Sequence, residues 1–242
     1  MSVLNHSPRI LTKGLIYCVD AAAKQSYSDG SSTWKNIVDN NLYKGTIAGA
    51  THVWQGGAGA GASYFSFDGT NDEVTSEANV TPATGPFSLS IWIKVNEAGS
   101  AGGRGGVFDR NGGSPYNGVS LGKGGSNNWA FVVSGTSDHS GNRLLVDAAS
   151  YPTVGEWACW CGTYNGSTSI SFYKNEDLQG TDTDSDQGNL DAQGTRSDVF
   201  ALASRTTNFL DCEIAHVAVY NIQLSHEQVK QNYRALKGRF GL

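Results

Sequence analysis

Two short runs of strict alternation constrain this chain more than anything else in it. In Tyr64-Phe65-Ser66-Phe67-Asp68, the phenylalanines fall on one side and Tyr64, Ser66 and Asp68 on the other. That is the period-two pattern of a strand with one buried face. Asp68-Gly69 and Thr70-Asn71-Asp72 then stop it with turn chemistry. Further on, Phe87-Ser88-Leu89-Ser90-Ile91-Trp92-Ile93-Lys94-Val95 alternates as cleanly. A helix does not line up residues of period two, so both runs read as strands whose apolar faces must be covered by another layer.

Composition extends this reading to the whole chain. With 31 glycines in 242 residues, glycine stands near double its usual share of about 7%, and charged residues make up only 16%. Many short strands joined by glycine-rich turns fit that profile, and 242 residues bury a core without needing a staple. Strands are expected at 15–19, 105–109, 117–121, 128–134, 143–147, 156–164, 168–174, 197–203 and 211–220, with short pieces at 37–41 and 45–50. The stretch 182–188 reads as an acidic loop. Residues 1–12 read as an N-terminal arm and residues 13–242 as a single domain.

One helix is expected, at about 225–237. Ser225 is placed to cap it, with Gln228 at the spacing of a capping box. Leu224 and Val229 can form a hydrophobic staple, Val229, Tyr233 and Leu236 make an apolar stripe, and Gly238 is the expected stop.

Charge narrows the function classes. The net charge is −5 and there is no lysine or arginine run, so nucleic acid is not an expected partner. No apolar stretch approaches the ~18 residues of a membrane span, so no membrane is expected either. Met1 to His6 lacks the basic and apolar regions of a secretory leader, and the chain is expected to be made in a cytoplasm. Cys18, Cys159, Cys161 and Cys212 show no framework spacing. Cys159 and Cys161 share one strand face, where neighbours pair poorly, so all four are expected to be buried free thiols.

The strand ending in Phe67-Asp68-Gly69, followed by Phe87-Ser88-Leu89-Ser90-Ile91-Trp92-Ile93-Lys94, resembles the laminin-G-like, concanavalin-like jelly-roll superfamily. Glu213 to Asn221 with Leu224, Ser225 and Glu227 resembles its last strand and closing helix, with Ala215 and His216 where members usually carry acidic residues. The resemblance implies an all-β antiparallel sandwich with a short C-terminal helix. Gly14 to Ala21, Ser26-Tyr27, Thr33-Trp34 and the ending Gln231 to Leu242 resemble structural proteins of tailed bacteriophages. That resemblance implies a virion location, with other virion proteins as partners and a homo-oligomeric unit.

Several patterns bear on chemistry. Asp182, Asp184 and Asp186 are spaced to converge on a hard cation, and calcium is the ion such a set would take, although no cofactor is required. The EF-hand count fails at Gln187 and Gln193. Asp211 and Glu213 face one way on a strand, but the Glu-x-Asp-x-x-Glu strand motif of glycanases on this fold is missing, so no enzyme is expected. The five histidines sit in unrelated contexts, and His216 reads as structural. Exposed aromatics beside amides suit sugars, because an indole stacks on apolar sugar faces while asparagine donates and accepts hydrogen bonds. Trp54, Tyr116, Asn117, Asn128 and Trp129 are the expected glycan-binding set, with Trp34 as a further aromatic. The expected function is that of a non-enzymatic virion structural protein, a capsid decoration or surface appendage with a glycan-adhesion surface. A tail-tip or fibre module recognising host glycans is the alternative.

Overall fold

The computed structural model describes residues 9–55, 62–82, 84–98, 106–110, 118–123, 128–134, 143–183, 200–205 and 208–242. Among them are β1 (Leu15–Asp20), β2 (Thr33–Trp34), β3 (Gly45–Ala48), β4 (Thr51–Val53), β5 (Tyr64–Asp68) and β6 (Glu73–Ser76). Then come β7 (Phe87–Val95), β8 (Gly106–Arg110), β9 (Gly118–Lys123), β10 (Trp129–Ser134), β11 (Arg143–Asp147) and β12 (Trp157–Tyr164). The rest are β13 (Ser169–Lys174), β14 (Asp177–Thr183), β15 (Phe200–Leu202), β16 (Ser204–Arg205), β17 (Asn208–Phe209), β18 (Asp211–Tyr220) and the helix α1 (His226–Leu236). A 3-10 turn, Lys237–Phe240, closes the chain.

The strands form two eight-stranded antiparallel sheets and one small ribbon, β16–β17. The first sheet runs β14-β13-β12-β7-β18-β5-β4, and the second β11-β10-β9-β8-β15-β6-β3-β2. The expected all-β sandwich is therefore the observed fold. β18 is ten residues long and carries two short strands end to end along one side. Asp211–Ile214 pairs with β5 and, past an irregularity at Ala215, His216–Tyr220 pairs with β1. Where β1 ends, β5 begins, so the chain leaving β1 at Ala21 passes beside Phe65. That junction builds the candidate site below.

The odd-numbered residues of β7 (Phe87, Leu89, Ile91, Ile93 and Val95) lie in the main core between the sheets. Its even-numbered residues face outward, yet they are covered. Ser88 Oγ donates to the Ile222 carbonyl at 2.9 Å and accepts from Leu224 N–H at 2.8 Å. Trp92 is stacked between Tyr233 and Phe240, with centroids 5.6 and 4.0 Å away. Ser225 caps α1 with both bonds of the capping box, and Leu224 and Val229 share one apolar cluster, as the staple requires.

Three sequence expectations are corrected. The helix does not stop at Gly238; a 3-10 turn continues to Phe240, and Gly241 takes the left-handed conformation at φ +73°. Residues 177–183 form β14, a strand not expected there, which takes in Asp182 and Thr183 of the acidic loop. A two-residue turn, Asn175-Glu176, links it to β13, with Asn175 at φ +59°. Asparagine tolerates that left-handed conformation better than other non-glycine residues, so no Asn-Gly signal was needed. Trp129 is the third correction, and it concerns the site.

Candidate functional site

On β4, residues two apart share a face, and Trp54 continues that alternation from His52. His52 pairs with Phe65 of β5, so its ring projects on the core side at the edge of the sandwich. There it meets the turn that follows β1. Asp20 Oδ1 accepts from Ala22 N–H at 2.8 Å, and Ser26 and Tyr27 N–H both donate to the Ala23 carbonyl. Ser26 Oγ donates to the Lys35 carbonyl at 2.7 Å, anchoring the turn's far end. This folding delivers Tyr27 against His52 at 4.4 Å between ring centroids, and edge-on to Phe65 at 4.9 Å.

Two contacts orient the imidazole. Its Nε2–H donates to the Ala21 carbonyl at 2.9 Å, and its Nδ1 lies 3.6 Å from Asp29 Oδ1. A carbonyl accepts only, so Nε2 carries a hydrogen and Nδ1 faces the carboxylate side. Trp54 lies 6.2 Å from the imidazole and is 49% exposed. Together Lys24, Tyr27, Ser28, Asp29, His52 and Trp54 line a cleft of about 320 Å³. An open indole face, a carboxylate, an ammonium and a hydroxyl converge there. Such a set can stack on a flat apolar surface while exchanging hydrogen bonds with hydroxyls at its edge.

The residues expected from sequence are scattered. Trp54 is in this cleft. Trp129 is fully buried between the sheets, edge-on to Tyr151 at 5.8 Å and beside Trp160 at 5.7 Å, so its ring is core and offers no platform. Trp34 is likewise buried, against Phe65. Asn128 belongs to the second sheet's side, where its Nδ2 donates to Asp147 Oδ1. Tyr116 and Asn117 lie outside the described residues, as do Asp184 and Asp186. Asp182 sits on β14 and its Oδ2 accepts from Leu145 N–H of β11 at 2.8 Å. Among the described residues no group of three histidine, cysteine or acidic side chains converges as a metal site would require.

Asp211 and Glu213 are also engaged. Asp211 accepts from Asn96 Nδ2 at 3.0 Å, and Glu213 forms a 2.6 Å ion pair with Lys94. The four cysteines are buried and free, as expected. Sequence reasoning missed Lys24, Tyr27, Ser28, Asp29 and His52. One local signal was available, the i, i+2 pair His52 and Trp54. The turn that faces them is brought in only by the shared edge of β18.

Comparison with known proteins adds the following. A family model described as the concanavalin A-like lectin/glucanases superfamily matches residues 68–230. No curated protein matches the chain in sequence. Among solved structures, a Trypanosoma rangeli sialidase in complex with sialic acid superposes with a TM-score of 0.64 at 14% identity, over 94% of this chain and 34% of its own. The binding domain of Paraclostridial Mosquitocidal Protein 1 gives 0.65 at 15% identity, over 91% and 52%. The ligand binding domain of botulinum neurotoxin serotype D, in complex with N-acetylneuraminic acid, gives 0.63 at 12% identity, over 91% and 50%. This chain thus spans a third to about half of the length of these structures, and at such identity the likeness is one of fold.

Proposed function

Because the chain belongs to the concanavalin A-like lectin/glucanases superfamily, we propose that it is a non-enzymatic carbohydrate-binding protein whose glycan seat is the Tyr27–His52–Trp54 cleft. One observation carries the reading: Trp54 keeps half of its surface open beside a carboxylate and an imidazole fixed in orientation. A sialidase solved with sialic acid and a botulinum neurotoxin ligand binding domain solved with N-acetylneuraminic acid both contain this fold, which supports that class of ligand. The engagement of Asp211 with Asn96 and of Glu213 with Lys94 supports a non-catalytic role, since a glycosidase needs a carboxylate pair free to act on the sugar.

The setting we propose is the virion of a tailed bacteriophage, with the protein on the capsid or a surface appendage, docked on other virion proteins as a homo-oligomer. This rests on the phage-like stretches 14–21 and 231–242. Those stretches meet in the fold, where Arg239 holds Asp20. The alternative location is the tail tip.

The test is a glycan array probed with the intact chain, with and without calcium, followed by titration of any hit. Trp54→Ala should weaken the hit by about tenfold or more, the scale of one lost stacking contact. A hit that survives Trp54→Ala unchanged sinks the cleft as its seat. Gold labelling of particles separates the locations: label over the head supports decoration, and label at the tail tip supports the alternative.

A further inference from the structure

A second pocket, of about 590 Å³, opens at the other end of β1 from the cleft just described. Its volume is that of a small-molecule site. Ile16 near the start of β1, Asn221 just past β18, Tyr43, Pro82, Thr84 and Pro86 are among the residues that line it. The ladder that pairs Leu15 with Tyr220 brings Ile16 and Asn221 together, and Asn221 N–H donates to the Gly14 carbonyl at 2.7 Å. The cleft meets the chain at Ala21, where His52 is held. At about 3.3 Å per residue, the run from Ile16 to Ala21 sets the two openings roughly 16 Å apart.

None of the described residues that line this pocket is charged. The Tyr43 hydroxyl, the Thr84 hydroxyl and the Asn221 carboxamide can each donate and accept, and none of these three side chains makes a hydrogen bond among the described residues. Ile16, Pro82 and Pro86 add apolar C–H surface. Tyr43 stands at φ +58°, and its ring packs against the main core. That left-handed conformation is strained for a bulky side chain, and strain of this kind gathers at ligand sites. The proline side of the pocket is buttressed. Gly166 comes so close that a Cβ there would lie 2.7 Å from the Gly85 carbonyl carbon and the Pro86 nitrogen. Asn165 Oδ1 fixes that turn by accepting from Ser167, Thr168 and Ser169 N–H.

We propose that this pocket is a second glycan seat, for a neutral sugar, and that the protein is bivalent; this rests on the carbohydrate-binding reading above but not on the Trp54 cleft. A sugar hydroxyl donates and accepts at one atom, which matches Tyr43, Thr84 and Asn221, and its C–H edges suit the proline and isoleucine surface. A carboxylated sugar would be desolvated with no cation in the lining to pair with it, and an amino sugar with no carboxylate. Seats at opposite ends of β1 hold two glycan chains at once, so a surface dense in glycans is gripped by avidity rather than by one strong contact.

The test is 1H–15N NMR of the full chain, titrated with the methyl glycosides of galactose, glucose, mannose and N-acetylglucosamine. Each is taken to about 100 mM, which saturates any site of millimolar Kd. At least one should shift the Asn221 side-chain amide saturably, and N-acetylneuraminic acid should leave it in place. Thr84→Glu brings a charge to the pocket from its exposed rim and should abolish the shift. Tyr43→Phe should weaken binding about fivefold, the scale of one hydrogen bond, and Trp54→Ala should leave it unchanged. The Trp54 indole N–H reports the cleft separately. A shift there with none at Asn221 overturns the second seat and leaves the cleft standing; a shift at Asn221 with none at Trp54 does the reverse, and no shift at either overturns both. An Asn221 shift that survives Thr84→Glu, or that N-acetylneuraminic acid also produces, overturns the proposal as well.

Discussion

Trp92 and Trp54 belong to the same sheet, one at its centre on β7 and the other just beyond its edge strand β4. Trp92 projects outward, where a strand of a half-exposed sheet would meet water, yet it is 1% exposed because Tyr233 and Phe240 stack on its two faces. Trp54 follows His52 on the core side and is 49% exposed; among the described residues its ring neighbour is His52, beside the turn carrying Tyr27. Facing inward or outward therefore does not decide which ring is core. What decides it is whether another element caps the ring: the C-terminal helix seals one aromatic cluster, and the other is left as a cleft. A sealed cluster contributes stability and an open one is available to a ligand.

Stability measurements can break this comparison. The largest effect is expected for Trp92→Ala, which should lower the unfolding free energy by about 3–5 kcal/mol in urea titrations, as loss of a buried aromatic does. An effect below 1 kcal/mol would mean that the helix does not seal that face.

Next comes acid. Burial holds the His216 imidazole down to about 4, against 6.5 in an open chain, with Asp20 raising it and Arg239 lowering it to lesser degrees. The unfolded chain takes up the proton first as pH falls. The contribution is thus full above 6.5 and is lost as pH falls from 6.5 to about 4, amounting to about 3 kcal/mol. His216→Phe should flatten that part of the stability–pH profile relative to the unaltered chain. An unchanged slope would show that the region under the helix is wetter than described.

Ser225→Ala should cost about 1 kcal/mol by removing the cap of the helix that does the sealing. The smallest effect sharpens the other side: Trp54→Ala should leave stability within about 0.5 kcal/mol, because an uncapped ring carries little of the fold. A larger loss would place Trp54 in the core after all.

Much of the fold was legible in the residues. The alternation in β5 and β7, the boundaries of β12, β13 and β18, and the capped helix all follow from local pattern. The site was legible only at Trp54. Trp129 carried a core signal, since it heads the period-two apolar face Trp129, Phe131 and Val133, whereas Trp54 shares its face with His52. The hairpin at Asn175 carried no glycine signal, because asparagine tolerates the left-handed turn there.

The sequence by itself determined the layer architecture, since period two admits strands alone and their apolar faces demand a second sheet. It also determined the helix, whose capping box and stripe are local. The tertiary structure decided which aromatics are sealed and which are open, and which histidine meets a carboxylate (His52) and which a thiol (His216, beside Cys18). Those outcomes depend on β1 and β5 sharing one edge of β18, which lies some 200 residues beyond β1 and roughly 150 beyond β5, and no local spacing encodes contacts made at those separations.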